Sequence, residues 1–167
     1  MKALTQPLRD EHKELFPHVE RIRQAAELIG NAPLDEIRRG VDEAYDFLAN
    51  HLKPHAEAED AALYPVVQQA LGSPDATKTM SRDHVEVGRY IAELAALKDG
   101  LNDPLTPAQI TSLRRVLFGA YALVKLHFAK EEEVYLPILD QRLTPEAARE
   151  MFERMEAAAH KAKHALA

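Results

Sequence analysis

The 167-residue chain contains no cysteine. Without thiols there is no disulfide, no cysteine-held iron–sulfur cluster and no thiolate nucleophile, so any metal bound here is held by nitrogen and oxygen. Positive charge is the minority sign, 21 Lys and Arg against 27 Asp and Glu for a formal charge of −6. That balance offers no field for a phosphate backbone and argues against a nucleic-acid partner. Long apolar runs are missing as well. No stretch approaches the roughly 18 residues of a membrane span, and MKALTQPLRD at the start passes into charged sequence where a signal peptide keeps its apolar core. These absences predict a cytoplasmic protein with no membrane partner, and the length predicts one domain able to bury a core.

Period-two alternation is absent over any useful length, so the class is all-α. The six Gly and ten Pro fall mostly where helices should start or stop. Five helices are predicted. The first runs from about Gln6 to Ile29, the second from about Leu34 to Leu71, and the third opens at Ser73-Pro74 and closes at Gly100. The fourth starts at the capping box Thr106-Pro107-Ala108-Gln109 and reaches about Leu139, and Thr144-Pro145 opens a shorter fifth. Short connections between long helices predict an up-down-up-down four-helix bundle over residues 1–142, with residues 143–167 as an extra C-terminal helix packing on the bundle or at a dimer seam. Monomer and homodimer both fit. Pro17, Pro54, Pro65 and Pro137 lie inside these helices, where each removes a backbone donor and demands a kink or a bulge.

The chain repeats itself. Displaced by 72 residues, His12 falls on His84, His55 on His127, Glu59 on Glu131 and Pro65 on Pro137. Two helix pairs in tandem are the economical account, each giving one His from its first helix and His-x-x-x-Glu from its second. Residues four apart share a helix face, so His55 and Glu59 can reach one point, as can His127 and Glu131. Four imidazoles and two carboxylates then meet inside the bundle. Two buried carboxylates without a cation would cost several kcal/mol each. Imidazole suits iron, zinc and copper, and a carboxylate can bridge two ions, so the donor count fits a dinuclear site.

In these motifs, RDEH ending at His12, PHAEAEDAALYP from Pro54 to Pro65, RDH ending at His84 and HFAKEEEVYLP from His127 to Pro137, the chain resembles the hemerythrin-like, or HHE cation-binding, proteins. The resemblance covers roughly Leu8 to Leu139. It implies a four-helix bundle around two non-heme iron ions joined by an oxo or hydroxo bridge. His12, His55, His84 and His127 would be iron ligands, and Glu59 and Glu131 bridging carboxylates. Ligands would be oxygen, peroxide, nitric oxide or azide, bound or sensed at the iron pair. The alternative is an enzyme of the same centre that consumes peroxide or reduces nitric oxide.

The chain departs from the oxygen carriers of that family, which have HxxxH on the third helix and HxxxxD in the last motif. Here Gly88 stands four after His84, and the last carboxylate is Glu131. With the fifth histidine missing, both irons are expected to keep an open position, with Gly88 leaving room beside one of them. Around this set, His51 is a candidate for the site or for a bundle end, and Tyr135 for a hydrogen bond to a bridging carboxylate or for core packing. His18 should face away. His160 and His164, four apart, could hold zinc on a helix face but read as part of a solvated Lys-rich tail; Glu132 and Glu133 read as the solvated side of their helix, with Glu132 able to substitute for Glu131 in a shifted register.

Overall fold

The computed structural model describes residues 3–166, and they are all-helical. The chain runs through α1 (Gln6–Leu28), α2 (Leu34–Phe47), α3 (Lys53–Ala58), α4 (Tyr64–Leu71), α5 (Lys78–Lys98), α6 (Pro107–Lys130), α7 (Leu136–Arg142) and α8 (Pro145–Ala165). Three of the junctions are not breaks. Leu48–Leu52, Glu59–Leu63 and Glu131–Tyr135 are π-helical turns that carry α2 into α3, α3 into α4 and α6 into α7. Five long helical stretches result. No helix among the described residues is long and apolar enough to cross a membrane.

All three π turns have one cause. Each closes with an N–H five residues beyond its carbonyl, Lys53 to Leu48, Tyr64 to Glu59 and Leu136 to Glu131, and in each the next residue is proline: Pro54, Pro65 and Pro137. An interior proline lacks the donor and its ring collides with the carbonyl four residues back. Widening the preceding turn by one residue relieves that collision while the helix continues. Pro17, by contrast, sits within α1 with no such turn.

The helix ends follow their punctuation with one exception. Thr106 and Gln109 form the reciprocal capping box, and the Thr144 hydroxyl accepts from the Ala147 N–H. Gly72 takes φ +66°, and the Ser73 N–H returns to the Gln68 carbonyl, a Schellman closure that needs the left-handed residue. The exception is Ser73-Pro74. Residues 74–77 form turns, and α5 starts only at Lys78, because the chain first has to leave the Gly72 reversal. The Thr77 hydroxyl accepts there from the Gln68 amide, tying the turn to α4.

α1 packs against α2 and α6, and α5 against α2 and α6, closing a ring, while α8 lies along α3 and the Glu59–Leu63 turn. The apolar core is in two parts. The larger is built from α1, α2, α5 and α6 around Val19, Ile22, Val41, Leu48, Leu94, Leu113 and Leu117. The smaller joins Leu8, Leu63, Tyr64, Val67, Met80, Leu136 and Leu139 to Met151 and Met155 of α8. Buried polar side chains, His12, His55, Glu59, His127 and Glu131, contribute to neither cluster.

Candidate metal centre

α1 brings His12, α3 His55, α5 His84 and α6 His127 to one level, and the first residues of two π turns add Glu59 and Glu131. The donor atoms form two groups. His12, His55, Glu59 and Glu131 each place one ligand atom within 4.8 Å of the others, as do Glu59, His84 and His127. Glu59 belongs to both. Its Oε1 lies 2.7 Å from His55 Nε2 and 3.7 Å from His12 Nε2, while its Oε2 lies 3.1 Å from His84 Nε2 and 3.5 Å from His127 Nε2. Glu131 divides itself likewise, Oε2 to His12 at 3.2 Å and Oε1 to His127 at 3.4 Å.

Outside this shell every imidazole is held from behind. His12 Nδ1 is 3.2 Å from Glu132, His55 Nδ1 2.9 Å from Glu11, His84 Nδ1 2.8 Å from Asp60 and His127 Nδ1 3.0 Å from Asp83. A carboxylate accepts, so each Nδ1 carries the hydrogen and each Nε2 turns its lone pair inward. Such backing fixes the tautomer and the ring plane and raises the basicity of a metal-binding imidazole. Asp83 is further engaged by the Lys130 ammonium. Phe128 stacks on His12 with centroids 4.3 Å apart and planes 9° from parallel.

Lone pairs pointed at one another need a positive charge between them. His12 Nε2, His55 Nε2, Glu59 Oε1 and Glu131 Oε2 are buried and have no aligned hydrogen-bond partner, although His55 and Glu59 approach to 2.7 Å. They aim at a common point, not at each other. Donors bound at about 2.1 Å to one ion lie about 3.0 Å apart at right angles and about 3.4 Å apart at tetrahedral angles, and most of the separations above fall near that range. Imidazole nitrogen with carboxylate oxygen suits a transition metal, so the residues fit the group that the sequence implies.

Without a cation, protons take its place. Burial alone would lower His12, but the Glu131 and Glu59 carboxylates beside it outweigh that and raise it to about 9. Against the same opposing burial, Glu59 and Glu11 carry His55 to about 10, and Asp83, Glu131 and Glu59 carry His127 to about 11. Glu59, which burial would raise, is held well below the usual carboxylate range by His55, His12 and His127. Protons and metal ions therefore compete for one set of lone pairs.

A small apolar cavity of about 20 Å³ opens onto both imidazole pairs, touching His55, Glu59, His84 and His127. Its remaining walls are Leu52, Ala56, Val87, Val124 and Phe128, all hydrocarbon. Since about 10–15 Å³ of such volume holds one water, it has room for a molecule of a few atoms.

Of the residues around this set, Gly88 stands elsewhere than the spacing suggested, and the others settle between the alternatives it left open. Gly88 is exposed, and a Cβ there would meet nothing within 4 Å; Val87, one residue earlier, is the α5 side chain that walls the cavity. His51 is 57% exposed and lies beside Asp46. Tyr135 gives its hydrogen to the Ala76 carbonyl. His160 and His164 stay on the exposed end of α8. Glu132 is 40% exposed, as its place on the solvated side suggests, and it also backs His12.

Sequence reasoning missed Glu11, Asp60, Asp83 and Tyr64. For the first three the signal was present, because the 72-residue displacement also sets Glu11 on Asp83 and Asp60 on Glu132. The Tyr64 hydroxyl lies 2.8 Å from Glu131 Oε1. It stands five residues after Glu59, about 140° around a regular helix, and only the π turn returns it to the ligand face.

Residues 3–139 match the family model of the hemerythrin HHE cation-binding domain. No curated protein and no solved structure matches the chain. With the match spanning most of the sequence and the buried His/Glu groups standing where the repeated motifs put them, the chain belongs to the hemerythrin HHE cation-binding family.

Proposed function

We propose that the protein holds two iron ions, one between His12 and His55 and one between His84 and His127, bridged by Glu59 and Glu131. At that pair it binds or senses small ligands such as oxygen, peroxide, nitric oxide or azide. The observation that carries this reading is Glu59, which is fully buried and presents one oxygen to each pair of imidazoles. The ring of helix contacts fits an up-down-up-down four-helix bundle enclosing the centre. When bound, the iron pair supplies Lewis acidity and one-electron redox chemistry.

The chain's own residues do the rest. Glu11, Asp60, Asp83 and Glu132 keep each Nδ1 protonated and each ring aimed. Leu52, Ala56, Val87, Val124 and Phe128 keep bulk water away from the ligand's place and offer it no hydrogen bond, which favours small ligands that bind through the metals.

Elemental analysis tests the reading. Protein made with iron in excess should carry about two irons per chain, change its visible spectrum on adding azide, and lose both properties in the His12→Ala, His84→Ala double variant. Wild-type protein that takes up no transition metal would overturn it. Sustained gas evolution on adding peroxide would assign the same centre to an enzyme in place of a binder or sensor.

A further inference from the structure

The Tyr64 hydroxyl has more neighbours than one proton can serve. Besides Glu131 Oε1 at 2.8 Å, it has His127 Nε2 at 3.2 Å, His84 Nε2 at 3.3 Å and Glu59 Oε2 at 3.5 Å. Both imidazoles commit their Nδ1 hydrogen to Asp83 and Asp60, so both Nε2 atoms are acceptors when the rings are neutral. Protonating both rings does not help, because the two Nε2 atoms are 3.0 Å apart and two N–H groups would then meet head-on. Five donor atoms, the Tyr64 oxygen, His84 Nε2, His127 Nε2, Glu59 Oε2 and Glu131 Oε1, thus converge on one space, and the single phenol hydrogen cannot serve the other four at once. Their separations match the edges of a single coordination polyhedron with bonds of about 2.1 Å.

We infer that Tyr64 is a direct ligand, as phenolate, of the ion held by His84 and His127; this rests on the reading of the cluster as a metal pair. Binding breaks the phenol O–H bond and forms an oxygen–metal bond, and the proton leaves to solvent with no change of oxidation state. That ion then has five protein donors: two imidazoles, one oxygen from each of Glu59 and Glu131, and the phenolate. The ion between His12 and His55 has four. The repeat partner of Tyr64 is Leu136, which brings no donor, so the inequality is written into the sequence. Tyr64 enters from the smaller apolar cluster, whereas Leu52, Val87, Val124 and Phe128 of the cavity wall belong to the larger. A hard anionic donor favours the trivalent state, so Tyr64 makes the oxidised centre harder to reduce and biases it against reversible oxygen carriage.

The test is spectroscopic, on the full-length protein loaded with iron. Wild type should show a visible phenolate-to-iron charge-transfer band with phenolate ring modes in its resonance Raman spectrum. Tyr64→Phe should lose both while keeping its two irons, and should reduce at a higher potential; Tyr135→Phe should keep both. Two irons in wild type without the phenolate signature, or a signature that survives in Tyr64→Phe, overturns the assignment and leaves the metal pair standing. Wild type without metal overturns both. If Tyr64→Phe does not fold, ring-deuterated tyrosine decides with Tyr135→Phe: the modes should shift on deuteration and persist in the variant, and modes that do neither overturn the assignment.

Discussion

The first half of the molecule, Gln6–Leu71, and the second, from Lys78 to Arg142, use the same parts and lock them together crosswise. Glu11 of the first backs His55 and Asp83 of the second backs His127, each within its own half. Asp60, however, backs His84, and Glu132 backs His12, each reaching into the opposite half. Neither half completes an imidazole pair's surroundings alone. Around the centre three side chains have no matching partner in the other half: Tyr64 stands against Leu136, Phe128 against Ala56 and Val87 against Leu15. Repetition builds two equivalent positions, and three unmatched side chains make them unequal.

Emptying the centre is the harshest way to break the comparison. A protein holding metal at a thousand times its dissociation constant gains about 4 kcal/mol per site. The metal-free form should therefore melt well below the loaded one, and identical melting curves would show that the cluster binds nothing of consequence. The two forms should also respond oppositely to pH. In the metal-free protein, His12, His55 and His127 are raised to about 9, 10 and 11. Their contribution is complete below the ordinary value of 6.5 and fades as pH climbs through those values. Glu59, being lowered, contributes above 4.5 and loses that contribution as pH falls. Metal-free protein should thus be more stable near pH 6 than above pH 9, while metal affinity should rise with pH as protons leave the ligands. Melting curves and metal titrations at the two pH values check both signs.

The outer carboxylates sharpen the comparison at an intermediate scale. Removing such a backing group typically costs 10- to 100-fold in metal affinity. Asp83 is 15% exposed and also holds Lys130, whereas Glu11 is 47% exposed. Asp83→Asn should sit at the upper end of that range and Glu11→Gln at the lower, and equal losses in a competitive metal titration would refute the ordering. Smallest are two substitutions on α5. Val87→His intrudes on the cavity, costs about 1–3 kcal/mol by overpacking and should alter the iron spectrum and azide binding. Gly88→His points to solvent, should gain a few tenths of a kcal/mol from helix propensity and leave the spectrum as it was.

The all-helical class, the capped starts at Thr106 and Thr144 and the convergence of His12, His55, Glu59, His84, His127 and Glu131 were legible because periodicity and spacing carry them directly. Tyr64 was not, because counting in fours presumes an unbroken α-helix and Pro65 breaks that count by one. Gly88 misled for a related reason. Four residues after His84 is the ligand face only on average, and in α5 the third residue, Val87, turns inward. The backing carboxylates Glu11, Asp60 and Asp83 show in the sequence only as partners under the 72-residue displacement, which carries no mark of which imidazole nitrogen each one serves.

About 20 Å³ beside the metal positions admits one small molecule at a time. Any turnover that consumed two would take them in turn, releasing one product before the next ligand entered. Its rate law would be of the ping-pong kind, saturating with ligand concentration instead of rising with its square.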